Sequence, residues 1–333
     1  MLARLAVVLT EAGVFNDVPF RARRQMHAAG IAALSTQTAV RFEVNRLLRA
    51  LGGIEVPLLL MKGCAYVHAG LPAARGRFIG DVDLMVPRAR IDEVEQRLLA
   101  SGWATGTLDD YDQHYYRAWT HEIPPLQHRE RDTPVDLHHT IAPLTSRVHP
   151  DAAAILAAAV PLADPRLQVM CPADMVLHSA VHLFNDEVGM PLRDLFDQHD
   201  LLCSFGADPA FWSALLERAR LHGLQRPCHY LLRYAERVPG TQIPPEVRCV
   251  GAAWGPKAPV RWLMTALFDL RFRPDPVAGV GALKSVAVFA LYLRAHWLRM
   301  PPAMLVRHLW VKAWRGWREA RAARRDAPPA ARA

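Results

Sequence analysis

Cysteine is scarce in this chain, with five residues at positions 64, 171, 203, 228 and 249 and no C-x-x-C pair among them. An odd, scattered set supplies neither a disulfide framework nor a zinc ribbon, and it fits a reducing cytoplasm. Long apolar runs are also missing. The longest, residues 286–293, falls far short of the roughly 20 residues that a spanning helix needs. The run at 5–9 is too short for a secretory signal before Glu11 interrupts the pattern. No transmembrane segment and no signal peptide are expected, and no internal repeat is found. Disorder over most of the chain is excluded by composition, because 51% hydrophobic and 22% charged residues are ordinary for a folded protein. The 333 residues suffice for two domains with a sizeable core.

Positive charge is unevenly placed. The net charge is +8, yet from Lys284 onward 11 Lys and Arg stand against 2 acidic residues, so the preceding 283 residues sum to −1. On a helix expected over 303–318, Val306, Leu309, Trp310, Ala313, Trp314 and Trp317 fall on one side and Lys312, Arg315 and Arg318 on the other. Tryptophan opposite a basic face suits an interfacial helix on an anionic membrane surface. The alternative is that these Trp residues pack on a helical lobe. Nucleic acid is the weaker partner, since it would use the basic stripe and leave the apolar face idle.

The chemistry-bearing stretches are 56–86 and 134–141. Successive side chains of a strand point to opposite faces, so Asp81, Asp83 and Met85 share one face while Val82, Leu84 and Val86 share the other. The same alternation puts Asp136, His138 and Thr140 on one side of the second stretch. Three carboxylates on neighbouring buried strands repel one another unless a cation neutralises them, and hard oxygen ligands suit Mg²⁺ or Mn²⁺. Gly63, at the junction of an apolar strand and a short helix, would let a phosphate approach the backbone.

These blocks resemble the nucleotidyltransferase superfamily, and within it a poorly characterised group. They read Lys62-Gly63, then Arg77-Phe78-Ile79-Gly80-Asp81-Val82-Asp83, then Val135-Asp136-Leu137-His138. The resemblance covers about residues 30–240. It implies an enzyme that moves a nucleotidyl group from a nucleoside triphosphate to an unknown acceptor. Asp81 and Asp83 would hold the triphosphate-side cation and Asp136 the acceptor-side one. Lys62, Gly63, Arg77 and Gly80 would meet the nucleotide, with Lys62 and Arg77 on the β- and γ-phosphates. His138, His178, Arg193 and Asp194, with Asp197, are candidates for the acceptor pocket. The superfamily commonly has Ser after the first glycine, where this chain has Cys64. Relatives of this kind are associated with cell-surface polysaccharide or modified-peptide assembly.

The implied architecture is α/β (α+β): a palm with a small mixed sheet, N-terminal helices and a C-terminal helical lobe. Apolar stripes with Gly52-Gly53 as a stop mark 1–53 as a helical preface. The palm would span 54–150, a helical lobe 151–250, and a linker with the basic tail 251–333. Within the palm, Tyr115, Tyr116, Trp119 and His121 suggest strands. Prolines and glycines make 239–259 read as a linker. The sequence Asp208-Pro209 reads as an N-cap followed by Pro at the first helical position. Two other readings remain. One is a catalytically silent nucleotide- or partner-binding module of the same fold. The other is a metal phosphohydrolase built on His138-His139, His178, His182 and the His199-Asp200 pair, although His199 falls on the apolar face of its helix.

Overall fold

A computed structural model describes residues 1–106, 110–185, 190–274 and 281–306, together with 310, 314, 317 and 318. The chain opens with α1 (Leu2–Glu11) and α2 (Phe20–Ala50), whose Val40, Val44, Leu47 and Leu48 make one buried stripe at helical spacing. The palm follows as β1 (Leu58–Leu60), α3 (Lys62–His68), β2 (Val82–Met85), α4 (Ile91–Ala100), β3 (Trp103–Thr105), α5 (Asp110–Trp119), β4 (Leu126–His128) and β5 (Pro134–His138). Then come α6 (Ala152–Ala157), β6 (Val160–Pro161) and β7 (Leu167–Val169). The seven strands form one mixed sheet in the order β3-β4-β5-β2-β1-β7-β6. β1 lies antiparallel to β2 and parallel to β7, while β2 and β5 run parallel. The apolar strand β1 is buried at every residue, as a strand covered on both faces must be.

The lobe consists of α7 (Pro172–Asn185), α8 (Pro191–Phe205), α9 (Pro209–Leu221), α10 (Gln225–Arg237), α11 (Pro245–Ala253), α12 (Ala258–Arg271) and α13 (Ala282–Arg299). The Asp208 cap is present, its carboxylate accepting from the Ala210 amide at 2.9 Å ahead of Pro209. One hydrophobic core runs from α2 through the sheet into the lobe.

Two local expectations are corrected. The aromatic segment expected as strands is helix α5. Its Tyr115 and Trp119, four residues apart, meet edge-on at 5.9 Å, and Arg117 clamps Glu95 of α4 through two bonds of 2.9 and 2.7 Å. These contacts outweigh the strand preference of aromatic side chains. The expected linker at 239–259 contains α11, because Pro245 occupies the first helical turn, where the missing N–H costs nothing. The expected lobe boundary at 250 therefore falls inside a helix. Beyond it, Phe268 of α12 packs edge-on against Phe184 of α7 at 5.3 Å, and Arg294 of α13 donates to the Phe184 carbonyl at 2.5 Å. In the tail, Leu309, Lys312, Ala313 and Arg315 lie outside the described residues. Trp310, Trp314 and Trp317 are exposed, the first two stacked with ring centroids 5.9 Å apart and the last two tilted at 5.3 Å.

Candidate active site

Strand alternation and parallel pairing together build the site. β2 and β5 are in register at Val82–Val135, Asp83–Asp136, Leu84–Leu137 and Met85–His138. The apolar residues of both strands enter the core, so Asp83 and Asp136 share the other face. Asp81 joins them two residues before Asp83, and the three carboxylates each present an oxygen within 4.8 Å of the others.

Their environments differ. Asp83 is 2% exposed, and its Oδ1 receives Lys62 Nζ at 2.6 Å and faces His138 Nε2 at 3.1 Å. Burial alone would raise its pKa, but Lys62 and His138 hold it far below the usual carboxylate range. Asp81 is raised by burial and by the Asp83 charge. Asp136 is pushed up to about 7 by burial, then by Asp83 and Glu122. The raised values register burial first and repulsion second, a divalent cation would compensate both, and an all-carboxylate donor set suits a hard ion. The residues present therefore fit the implied metal.

Lys62 reaches Asp83 from an unusual backbone. Its φ is +47°, the only positive value at a non-glycine among the described residues. A left-handed lysine is a strained one. The strain places Nζ over the carboxylate at the point where β1 turns into α3, and Asp83 raises the Lys62 pKa despite burial.

The other expected site residues are distributed as follows. Gly63 is required by Arg77, because a Cβ there would come within 1.9 Å of Arg77 Nη1. Arg77, expected on phosphate, donates its Nε to buried Asp197 at 2.7 Å and lies over the Tyr66 ring. Asp197 also binds Arg4 of α1 at 2.7 Å, so the N-terminal helix, the loop before β2 and α8 meet at one carboxylate. Around Gly80 the space is open, and a methyl group in place of its α-hydrogen would meet no atom within 4 Å. Cys64 is fully buried, and burial drives its thiol pKa upward, so it supplies neither a hydroxyl nor a thiolate. His138 lies against Asp83 as stated. His178 is buried on α7 and held down to about 3 by burial and by Lys62, hence neutral. Arg193 pairs with its neighbour Asp194 at 2.7 Å, and among the described contacts none joins either to the three aspartates.

Sequence reasoning missed Glu122. Its backbone bridges to His138, and its Oε2 lies 3.4 Å from His138 Nδ1, so the imidazole sits between Glu122 and Asp83. No spacing signal marks it, because it belongs to an irregular segment brought back to β5 only by folding. The histidine pair of the rival reading is engaged elsewhere: His199 bonds Thr241 at 2.8 Å and Asp200 binds Arg4 at 3.0 Å.

A family model described as an uncharacterised nucleotidyltransferase matches residues 1–240. The chain belongs to that nucleotidyltransferase family. Among curated proteins none matches. Two solved structures are similar to it. One is a solution structure of the antibiotic-resistance factor ANT(2'')-Ia, 18% identical over 56% of this chain and 95% of that one, with a TM-score of 0.36. The other is a crystal structure of ANT(2'')-Ia in complex with adenylyl-2''-tobramycin, 16% identical over 56% and 98%, with a TM-score of 0.37. The family assignment rests on the sequence match. It makes the chain an enzyme of nucleotidyl transfer and gives the three-aspartate face of the nucleotidyltransferase its context.

Proposed function

We propose that this nucleotidyltransferase is metal-dependent and that Asp81, Asp83 and Asp136 carry its chemistry. The supporting observation is the register pairing of Asp83 with Asp136, with Asp81 beside them and all three oxygens within 4.8 Å. The acceptor oxygen forms a bond to the α-phosphorus of a nucleoside triphosphate, the bond to the bridging oxygen breaks, and pyrophosphate leaves with that electron pair. Mg²⁺ or Mn²⁺ held by these aspartates would supply charge stabilisation at the entering and leaving oxygens. Asp81 and Asp83 hold the triphosphate side and Asp136 the acceptor side. Lys62 keeps Asp83 ionised and stands beside the phosphate path, Gly80 leaves room for the nucleotide, and Gly63, which makes room for Arg77, offers the nucleotide its backbone. Arg77 acts by positioning, through Asp197 and the Gly63 turn. His138 orients Asp83, and His178, Arg193 and Asp194 remain the proposed acceptor-side residues.

Cell-surface polysaccharide or modified-peptide assembly is the setting we favour for the acceptor. For location we place the protein in the cytoplasm, held at the inner face of an anionic membrane by its basic tail. Charge segregation supports this, and among the described residues no helix is long and apolar enough to cross a membrane.

A silent binding module is the second reading. Lys62 on Asp83 favours it, since a cationic side chain already neutralises one of the carboxylates. Incubation with each α-labelled nucleoside triphosphate and Mg²⁺ separates the two. Release of pyrophosphate that EDTA abolishes supports transfer. Mg²⁺-dependent nucleotide binding with no turnover in the presence of cell extract supports the silent module.

A further inference from the structure

The C-terminal helices α12 and α13 form a hairpin whose inner side is committed to the lobe. Met264 and Phe268 of α12 and Ala287, Ala295 and His296 of α13 are buried. The far end of α13 is tied down by three bonds. Thr145 Oγ1 donates to the Arg299 carbonyl at 2.7 Å, the Arg147 amide to Leu298 at 2.9 Å, and Arg147 Nε to Trp297 at 3.0 Å. This helix is therefore a fixed element with a free outer face.

That outer face is apolar. Leu283, Val286, Phe289, Leu293 and Trp297 are 70, 65, 60, 43 and 48% exposed. Their spacing of three and four residues makes one stripe, about 20 Å long at 1.5 Å per residue. Ser285 is the only polar residue of α13 that is exposed. A continuous stripe of this kind marks a site of association, not a surface meant for water.

Charge selects what covers it. From Lys257 onward the chain has 15 Lys and Arg against 4 acidic residues, or +11, which leaves the first 256 residues at −3. The hairpin and tail thus form one cationic unit on an acidic body. Arg147 sits at the end of the stripe with its guanidinium 4.5 Å above the Trp297 ring, so cation and aromatic face meet at the edge. A second copy seated on the same stripe would bring two +11 segments together at close range. The stripe is one-sided, and α13 is not apolar enough to span a bilayer. An apolar face with Arg147 at its edge, in a strongly cationic segment of the chain, fits the headgroup boundary of an anionic lipid layer.

The geometry points to the outer stripe of α13, from Leu283 to Trp297, as the principal membrane-docking surface of this protein, seated in an anionic lipid surface with the basic tail in support. This rests on the membrane reading above and changes its anchor from the tail to α13. Three forms of the full chain test it by sedimentation with phosphatidylglycerol vesicles and with phosphatidylcholine vesicles at low salt. These are the wild type, the stripe variant Phe289→Glu/Leu293→Glu and the tail variant Trp310→Glu/Trp314→Glu.

The wild type is expected to sediment with phosphatidylglycerol only. The stripe variant should lose at least about tenfold in partitioning, since tenfold corresponds to about 1.4 kcal/mol and burying even one such side chain contributes more than that. The tail variant should lose less. Both variants should keep the wild-type thermal midpoint and Mg²⁺-dependent nucleotide binding, because the substituted residues are exposed and distant in sequence from the aspartates. Wild-type binding by the stripe variant with loss in the tail variant overturns the stripe and leaves the tail reading standing. Absence of wild-type sedimentation overturns both. A dimer in ultracentrifugation that the stripe variant dissolves, without vesicle binding, assigns the face to a second copy and overturns the proposal.

Discussion

Asp83 and Asp136 are register partners on adjacent parallel strands, and the two carboxylates nevertheless titrate in opposite directions. Asp83 is held low by Lys62 and His138, which both approach its Oδ1, while Asp136 is pushed up by burial and by Asp83 itself. One carboxylate of the pair is compensated within the protein and the other waits for compensation. The consequences for substitution follow from that asymmetry.

Repulsion alone would make every Asp→Asn change at this site stabilising. The structure separates them. In EDTA and above pH 7, where Asp136 is ionised, Asp136→Asn should raise the thermal midpoint, because it removes an uncompensated buried charge. Asp83→Asn should lower it, with a loss of roughly 1–3 kcal/mol of stability, because it leaves Lys62 and His138 facing each other without their anion. Calorimetric melts of the two variants check this. Equal shifts would show that Lys62 does not neutralise Asp83 in solution.

Metal should act on the same term. Adding Mg²⁺ to the wild type is expected to raise the melting temperature in a concentration-dependent way. The gain should shrink sharply in the double variant Asp81→Asn/Asp136→Asn. If the double variant keeps the full Mg²⁺ gain, the ion binds elsewhere.

Binding and transfer should separate at Asp136. Asp136→Ala is expected to retain Mg²⁺-dependent nucleoside triphosphate binding through Asp81 and Asp83 and to lose transfer by at least about 10²-fold. Calorimetry with a non-hydrolysable triphosphate, read beside pyrophosphate release, makes the comparison. Parallel loss of both would place Asp136 among the triphosphate ligands.

Arg77 should behave as a structural cation. Its removal leaves Asp197, which is 2% exposed, with Arg4 in place of two cations, so Arg77→Ala should cost about 1–3 kcal/mol, the usual penalty for losing one hydrogen-bonding partner of a buried charge. Gly63→Ala should also destabilise, because the new methyl group would collide with the Arg77 guanidinium. Chemical denaturation of both variants measures this. An Arg77→Ala protein of wild-type stability with a raised KM for triphosphate would return Arg77 to the phosphate.

Acid should weaken the lobe through Asp174. Burial pushes this carboxyl up, but bonds from His222 and Arg218 outweigh burial and hold it below its ordinary value. Its contribution is therefore complete above about pH 4, the unfolded value, and is lost as pH falls through the lower folded one. The wild-type urea midpoint should drop more steeply between pH 5 and 3 than that of Asp174→Asn. Identical slopes would mean that Asp174 contributes no pH-dependent stability.

The sequence by itself determined which strand face each of the three aspartates would occupy, and the pairing of β2 with β5 then brought those faces together. Alternation along a strand is a local rule, and Asp81, Asp83 and Asp136 obey it without help from distant residues. The Asp208-Pro209 helix start and the charge segregation were legible for the same reason, each being a property of consecutive residues. Aromatic content misled at 110–119, where Arg117 and Glu95 chose a helix, and proline misled at Pro245, which begins one.

Only the tertiary structure decided who neutralises whom. Arg77 finds Asp197 120 residues away, Lys62 turns through a left-handed backbone to reach Asp83, and Glu122 returns to His138 from an irregular segment. It likewise decided which face of α13 remains outside, because that depends on Arg294 meeting Phe184 and Thr145 meeting Arg299. Periodicity specifies which side chains share a face. The partner of a charge is set by packing segments that are far apart in the chain, and no local pattern encodes that.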